Sequence, residues 1–320
     1  MRDNYCRPIS IACITPMAFP EVPLYMKSGT NFVLYKPHDR PFTEDDRSRL
    51  MRNQVEFLYV RTGDMELISD FIESGLGNIL ANEEISGFTK GQVLYQTTIN
   101  YAMDVFETPE KAVNFNRCKN LLRHLMTHIG NDPKSISALQ SLIGHNYYIF
   151  THSVQVTALT LIMHADVYGL TKEEMEDVGV GALLHDIGMI FISNKILDKP
   201  DPLNDVEYYK VKQHAQKGYE CLRDLGGFSE ITLSAVRHHH ERYDGDGYPC
   251  ALKGDKISRT AQIMAICDVF SALTFDRVYK KAVTQAEALK IMSTESEGAF
   301  NPELFNRFEE IMKPSLDFFE

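Results

Sequence analysis

The chain has 320 residues, 44% of them hydrophobic and 24% charged, with a formal net charge of -11. That length admits two domains, or one large domain with an appendage, and is ample for a core; the acidic balance argues against a general nucleic-acid binder, so no DNA partner is expected. The six cysteines form no C-x-x-C pair, no run of eighteen apolar residues exists and the first residues lack a signal-peptide core, which together predict reduced thiols, no membrane span and a cytoplasmic location.

Residues 1–62 read as a small α+β module. Prolines at 8, 16, 20, 23, 37 and 41 punctuate short apolar segments, Asn31–Tyr35 and Val55–Val60 read as strands, and Thr43 is placed to cap a short helix to about Asn53, with Asp46 as a capping-box partner. No chemical motif marks this module, and a regulatory role is the expectation. Residues 63–134 read as a helical connector: one helix from Asp64 to near Asn82, a second capped by Thr89 and running to about Phe106, and a third opened by Pro109 and running to His128. This segment suits sensing or a homodimer contact. His124 and His128 share a helical face, but with no acid in an H-E-x-x-H pattern they read as an exposed pair on a polar face rather than ligands.

From residue 135 to 320 the pattern is helix after helix, so the fold class expected is mainly α. The helix near 147–168 carries Ile149, His152, Val156, Leu159 and Met163 on one buried stripe. The next carries Met175, Val178, Ala182 and His185, followed directly by Asp186. Farther on, Val211 and His214 share a face, as do Val236 with His240, Ala235 with His239, and Met264 with Asp268 and Ser271. One buried histidine is usually a hydrogen-bonded core residue; five helices each sending His or Asp into an apolar layer is a different matter. The successive gaps from His152 to His185, on to His214, to His239 and to Asp268 are 33, 29, 25 and 29 residues, each about a helix and a return, and a bundle can bring such positions to one level. Five imidazoles and two carboxylates exceed one tetrahedral zinc. They suit two divalent ions, Fe or Mn more naturally than Zn, with Asp186 able to bridge. Paired ions are a known device for phosphoester hydrolysis. His238 is left outside. The Asp244-Gly245-Asp246-Gly247 turn is not an EF-hand, since Pro249 falls where that loop needs glycine.

His185-Asp186 followed by His238-His239-His240-Glu241 and Asp244-Gly245-Asp246-Gly247-Tyr248-Pro249 resembles the HD-GYP family, a branch of the HD phosphohydrolases. Asn194–Pro200, His214, Ala265–Thr274 and Asp276–Ala282 match it too, so the resemblance covers roughly residues 140–315. It implies an HD-type helical bundle, a bimetal or trimetal centre, and hydrolysis of cyclic di-GMP to pGpG or GMP by a metal-activated hydroxide. The implied ligands are His152, His185, Asp186, His214, His239, His240 and Asp268, with His185 and Asp186 at the catalytic centre. Arg277 and Lys280 would hold substrate phosphate, Tyr248 would shape the rim, and the Gly-Tyr-Pro loop would serve as a docking surface for diguanylate cyclase domains. Two departures matter. Trimetal members carry a glutamate where this chain has Tyr148, so two metals are expected. Where the family reads H-D-I-G-K this chain has Met189, which cannot hold an anion by charge. The alternative reading is therefore a catalytically weak member acting as a cyclic-dinucleotide sensor or interaction module. A third reading, an HD phosphohydrolase for another nucleotide, is opposed by the Gly-Tyr-Pro loop.

Overall fold

The computed structural model describes residues 6–108, 115–131, 148–197, 199–275, 282–295 and 298–316. Their contacts divide into two compact units, with the division after Tyr101.

The first unit holds a four-stranded antiparallel sheet. Its strands are β1 (Cys6–Ser10), β2 (Leu24–Ser28), β3 (Asn31–Lys36) and β4 (Phe57–Arg61), in the spatial order β1-β4-β2-β3. β1 and β2 go beyond the strands expected from sequence. Pro8 obscures β1, and it is tolerated because β1 lies at a sheet edge. Helix α1 (Glu44–Arg52) begins at the expected capping box: the Asp46 N–H donates to Thr43 Oγ1 at 3.2 Å, and the Asp46 carboxylate accepts from the Thr43 N–H at 3.1 Å. Helix α2 (Met65–Ala81) follows, as Asp64 and Asn82 predict. Helix α3 (Gly87–Glu107) starts earlier than Thr89. Its cap is Ser86, whose hydroxyl accepts from the Thr89 N–H at 3.1 Å, so Thr89 sits inside the first turn.

The second unit is a helical bundle. Helix α4 (Phe115–Asn131) packs on α5 (Tyr148–Val167) and α6 (Lys172–Leu184). The expected opening at Pro109 lies outside the described residues. The His124/His128 pair is not a solvated face: His128 is buried and His124 half-buried, because this stretch of α4 turns Leu122, Leu125 and Ile129 inward. A 3-10 turn (Ile187–Phe191) and the short α7 (Asn194–Leu197) lead to α8 (Asp205–Leu225) and α9 (Glu230–His238). Then come α10 (Arg259–Thr274), α11 (Gln285–Glu295) and α12 (Pro302–Leu316). α5 lies against α6 and α10, α6 against α9, and α9 against α8 and α10. α5 is more buried than one stripe predicts: every residue from Thr151 to Leu161 is buried. A helix enclosed on all sides must satisfy its polar groups internally, and Thr157 Oγ1 accordingly donates to the Ser153 carbonyl at 2.7 Å. Val156, Leu159 and Met163 pack with Ala182, Ala235, Met264 and Phe270 in one apolar core, and Phe270 meets Phe308 edge-on at 5.1 Å. This core sets the level at which the polar residues converge. Among the described residues no helix is long and apolar enough to cross a membrane.

Candidate metal centre

Two of the five helices end where their residues meet the others, and three pass through: His152 lies near the start of α5, His214 in the middle of α8 and Asp268 within α10. α6 opens at a Thr171/Glu174 capping box and runs to Leu184, so His185 and Asp186 fall at its C-terminal end. The 3-10 turn that follows lies tight against α8. A Cβ on Gly188 would run into the His214 carbonyl and come within 2.7 Å of the Gly218 nitrogen. Only glycine allows that approach, and the approach brings His214 beside Asp186. α9 ends at His238, and the chain leaves it with His239 buried and His240 half-buried. From α10 comes Asp268 and from α5 comes His152, both buried.

The potential ligand atoms form two groups, Asp186 with His214, His239 and His240, and His152 with His185 and Asp268; within each they lie within 4.8 Å of one another. Asp186 stands between the groups. Its Oδ1 is 3.3 Å from His214 Nε2 and 3.9 Å from His239 Nε2, while Oδ2 is 3.4 Å from His185 Nε2. Asp268 faces His152 Nε2 at 3.0 Å and His240 Nδ1 at 3.6 Å. His238 stays outside, its Nδ1 3.3 Å from Ser234 Oγ. All seven sequence-derived ligand candidates thus converge.

The tautomers point the donor atoms inward. His185, His214 and His239 each donate Nδ1–H to the carbonyl three residues back, Ala182, Val211 and Val236, at 2.8, 2.7 and 2.8 Å. A carbonyl only accepts, so each Nδ1 carries the proton and each Nε2 faces the cluster, where the neutral ring presents a lone pair. His152 reaches the same state differently: its Nδ1 lies 2.9 Å from Ser271 Oγ, whose hydroxyl donates to Gln155 Oε1 at 2.6 Å. Such outer partners fix ring orientation in metal sites. Ser271 shares a helical face with Asp268, a signal readable in sequence; nothing in the sequence ties Gln155 to it 116 positions away.

These donors fit a divalent cation. His214 Nε2 and His239 Nε2 lie 3.2 Å apart, and with both Nδ1 protons committed elsewhere that contact requires a proton or a metal between lone pairs. His185 Nε2 is buried with no hydrogen-bond partner, a costly orphan in a purely structural site. Charge agrees. Burial would raise Asp186 and Asp268, yet the surrounding imidazoles hold both carboxyls well below the usual range. Burial lowers His239 well below its ordinary value and His240 to about 4. His185 is the exception: burial would lower it, but Asp186 and Asp268 raise it to about 9. Ionised carboxylates and neutral imidazoles are the states a metal takes.

Beyond the cluster, the Gly-Tyr-Pro loop forms a rim. The Tyr248 N–H donates to the His240 carbonyl at 3.1 Å, and the Tyr248 ring lies 4.7 Å from the His240 ring. The buried Glu241 carboxylate accepts from the Cys250 and Leu252 N–H groups at 2.7 and 2.9 Å, tying the loop down. A Cβ on Gly247 would collide with the Arg242 nitrogen. Arg242 pins Asp244, whose Oδ1 accepts from the Asp246 N–H at 3.0 Å. Met189 is half-buried in the 3-10 turn. Arg277 and Lys280 lie outside the described residues, and the side chain of Tyr148 is not described.

Comparison with known proteins agrees with this arrangement. A solved structure of Bd1817, an HDG"Y"P protein from Bdellovibrio bacteriovorus, has the same fold with a TM-score of 0.72, covering 97% of this chain and 100% of that one at 19% identity. The chain is 35% identical over 198 residues to a Pseudomonas aeruginosa protein named cyclic di-GMP phosphodiesterase PA4108, covering 62% of this chain and 47% of the relative. It is 41% identical over 162 residues to a Vibrio cholerae protein named 3'3'-cGAMP-specific phosphodiesterase 3, covering 51% and 33%. The chain thus spans less than half the length of these curated relatives. The model of the family described as "HD domain" matches residues 137–304, more than half of the chain, and the chain belongs to the HD-domain family, in its HD-GYP branch.

Proposed function

We propose that the chain is a metal-dependent phosphodiesterase that hydrolyses cyclic di-GMP to pGpG, GMP or both. The observation that carries this reading is Asp186, whose two carboxylate oxygens face separate groups of imidazole donors. That arrangement supports two divalent ions, which His152, His185 and Asp268 would hold on one side and His214, His239 and His240 on the other, with Asp186 available to both. The mixed imidazole and carboxylate donors favour Fe or Mn over Zn. When bound, such ions supply a water of lowered pKa and neutralise charge developing on phosphoryl oxygens.

The chain's own residues do the rest. Asp186 and His185 set the geometry at the reacting centre. The His152–Ser271–Gln155 chain holds the His152 lone pair inward. His185 would offer Nε2 to a metal, its ring held in place by the Nδ1–H bond to the Ala182 carbonyl. Tyr248 walls one side of the mouth, and Arg277 and Lys280 are assigned to substrate phosphate by charge. The naming of curated relatives supports the cyclic dinucleotide as substrate. The sensor reading rests chiefly on Met189 and is not favoured.

We also propose a cytoplasmic location, in line with six free cysteines, a regulatory role for residues 1–62, a connector over 63–134 and a catalytic domain over 135–320. The Gly-Tyr-Pro loop, with Pro249 exposed at the rim, is the proposed docking surface for diguanylate cyclase domains, and a homodimer is the proposed assembly. The test of the activity is product analysis on cyclic di-GMP with the wild-type chain and Asp186→Ala. Wild-type turnover with none from the variant is expected, and equal turnover by both would refute the site.

A further inference from the structure

Lys212 stands at the mouth of the site in an unusual setting. It lies one helical turn after Tyr208 on α8, so both side chains share a face. Its Nζ is 4.6 Å from the centre of the Tyr208 ring and 5.1 Å from that of Tyr248. The Tyr248 ring in turn leans on His240, with ring centres 4.7 Å apart and 33° between planes. The ammonium is thus separated from the His/Asp cluster by a single aromatic ring.

The hold on Lys212 is aromatic rather than ionic. Among the described residues no carboxylate pairs with it; the neighbouring acid Glu207 is taken by Lys199 at 2.6 Å. A cation over two ring faces is restrained without being neutralised, and its N–H groups stay available. In a chain of net charge -11, an unneutralised ammonium poised at the edge of this site has a recognition role open to it.

We propose that Lys212, clamped between Tyr208 and Tyr248, binds an anionic phosphodiester group of the substrate at the mouth of the metal centre. Tyr208, half-exposed beside it, and Tyr248 are the positioning residues that aim the ammonium. The assignment rests on the reading of the site as a cyclic-dinucleotide phosphodiesterase. It adds a substrate contact on α8 to those assigned to Arg277 and Lys280.

The test compares wild type, Lys212→Met and Lys212→Arg as full chains loaded with Mn(II), on cyclic di-GMP. Methionine keeps the apolar stem and removes the charge. It is expected to raise KM about tenfold with kcat within about twofold, the scale of one charge-assisted hydrogen bond. Metal content and thermal midpoint should match wild type. Arginine, which also sits over aromatic faces, should return KM to within about threefold of wild type. The penalty for methionine should shrink between about 0.05 M and about 0.5 M salt, as screening predicts for a part-exposed charge. An unchanged KM in Lys212→Met would overturn the proposal. So would a rise in KM that comes with loss of metal and is not restored by arginine, since that marks a structural role. Should the wild type bind cyclic di-GMP without turning it over, the phosphodiesterase reading fails while the same comparison, made on dissociation constants, still decides for or against Lys212. A wild type that does not bind the dinucleotide overturns both.

Discussion

Asp186 links the two halves of the centre because its oxygens face different imidazoles. Asp186→Ala should therefore strip metal from both groups at once, measured as metal per chain after gel filtration; retention of a full complement would contradict the shared role. The Ser271 hydroxyl acts at one remove. With Ser271→Ala the His152 Nδ1–H loses its acceptor, and metal affinity should fall by about 10- to 100-fold, read by competition with a chromophoric chelator. The ligand candidates were legible in the sequence because each sits one or two turns from apolar residues of a helix, at gaps that match a helix and its return. Gln155 and Lys212 were not legible. The first is joined to Ser271 only by tertiary packing, and the second acquires its setting when Tyr248, on a loop, folds over α8.

At the level of elements, the caps and close approaches decide where those residues stand. Thr43 and Asp46 spelled α1 in advance, and Thr43→Ala should cost about 1 kcal/mol in chemical unfolding. Burial would raise the Asp46 carboxyl, but hydrogen bonds from Thr43, Arg40 and Tyr35 bring it below its ordinary value. A group depressed in the folded state adds stability above its unfolded pKa, near about 4, and loses that contribution as pH falls through the folded value. The gap in stability between wild type and Asp46→Asn should thus narrow below about pH 4; a gap constant from neutral to acid pH would contradict it. The Gly188 approach to α8 is less visible in sequence, where it reads only as part of a motif. Gly188→Ala forces the 3-10 turn off the His214 carbonyl and should cost about 3 kcal/mol, with weaker metal binding as the specific sign. β1 and β2 escaped sequence reading because Pro8 hides the alternation of β1 and both are short; pairing with β4 makes β1 a strand, and pairing mainly with β3 makes β2 one.

For the whole molecule, a helical bundle carries seven polar ligand candidates in a layer that its apolar core encloses. Five imidazoles and two ionised carboxylates in that layer are costly without a cation, so metal should contribute to folding as well as to chemistry. Adding Mn(II) to chelator-stripped protein should raise the calorimetric midpoint by several degrees, since a ligand at about 100 times its dissociation constant adds about 2.7 kcal/mol. An unchanged midpoint would mean that the cluster does not take the ion. The measurement that bears most directly on the central claim is hydrolysis of cyclic di-GMP by protein purified anaerobically and loaded with Fe(II) or Mn(II), with metal counted on the same sample. The account predicts turnover at about two metals per chain, the number a shared carboxylate between two donor groups implies. Two bound metals without turnover would contradict the enzyme and return Met189 to the centre of the argument.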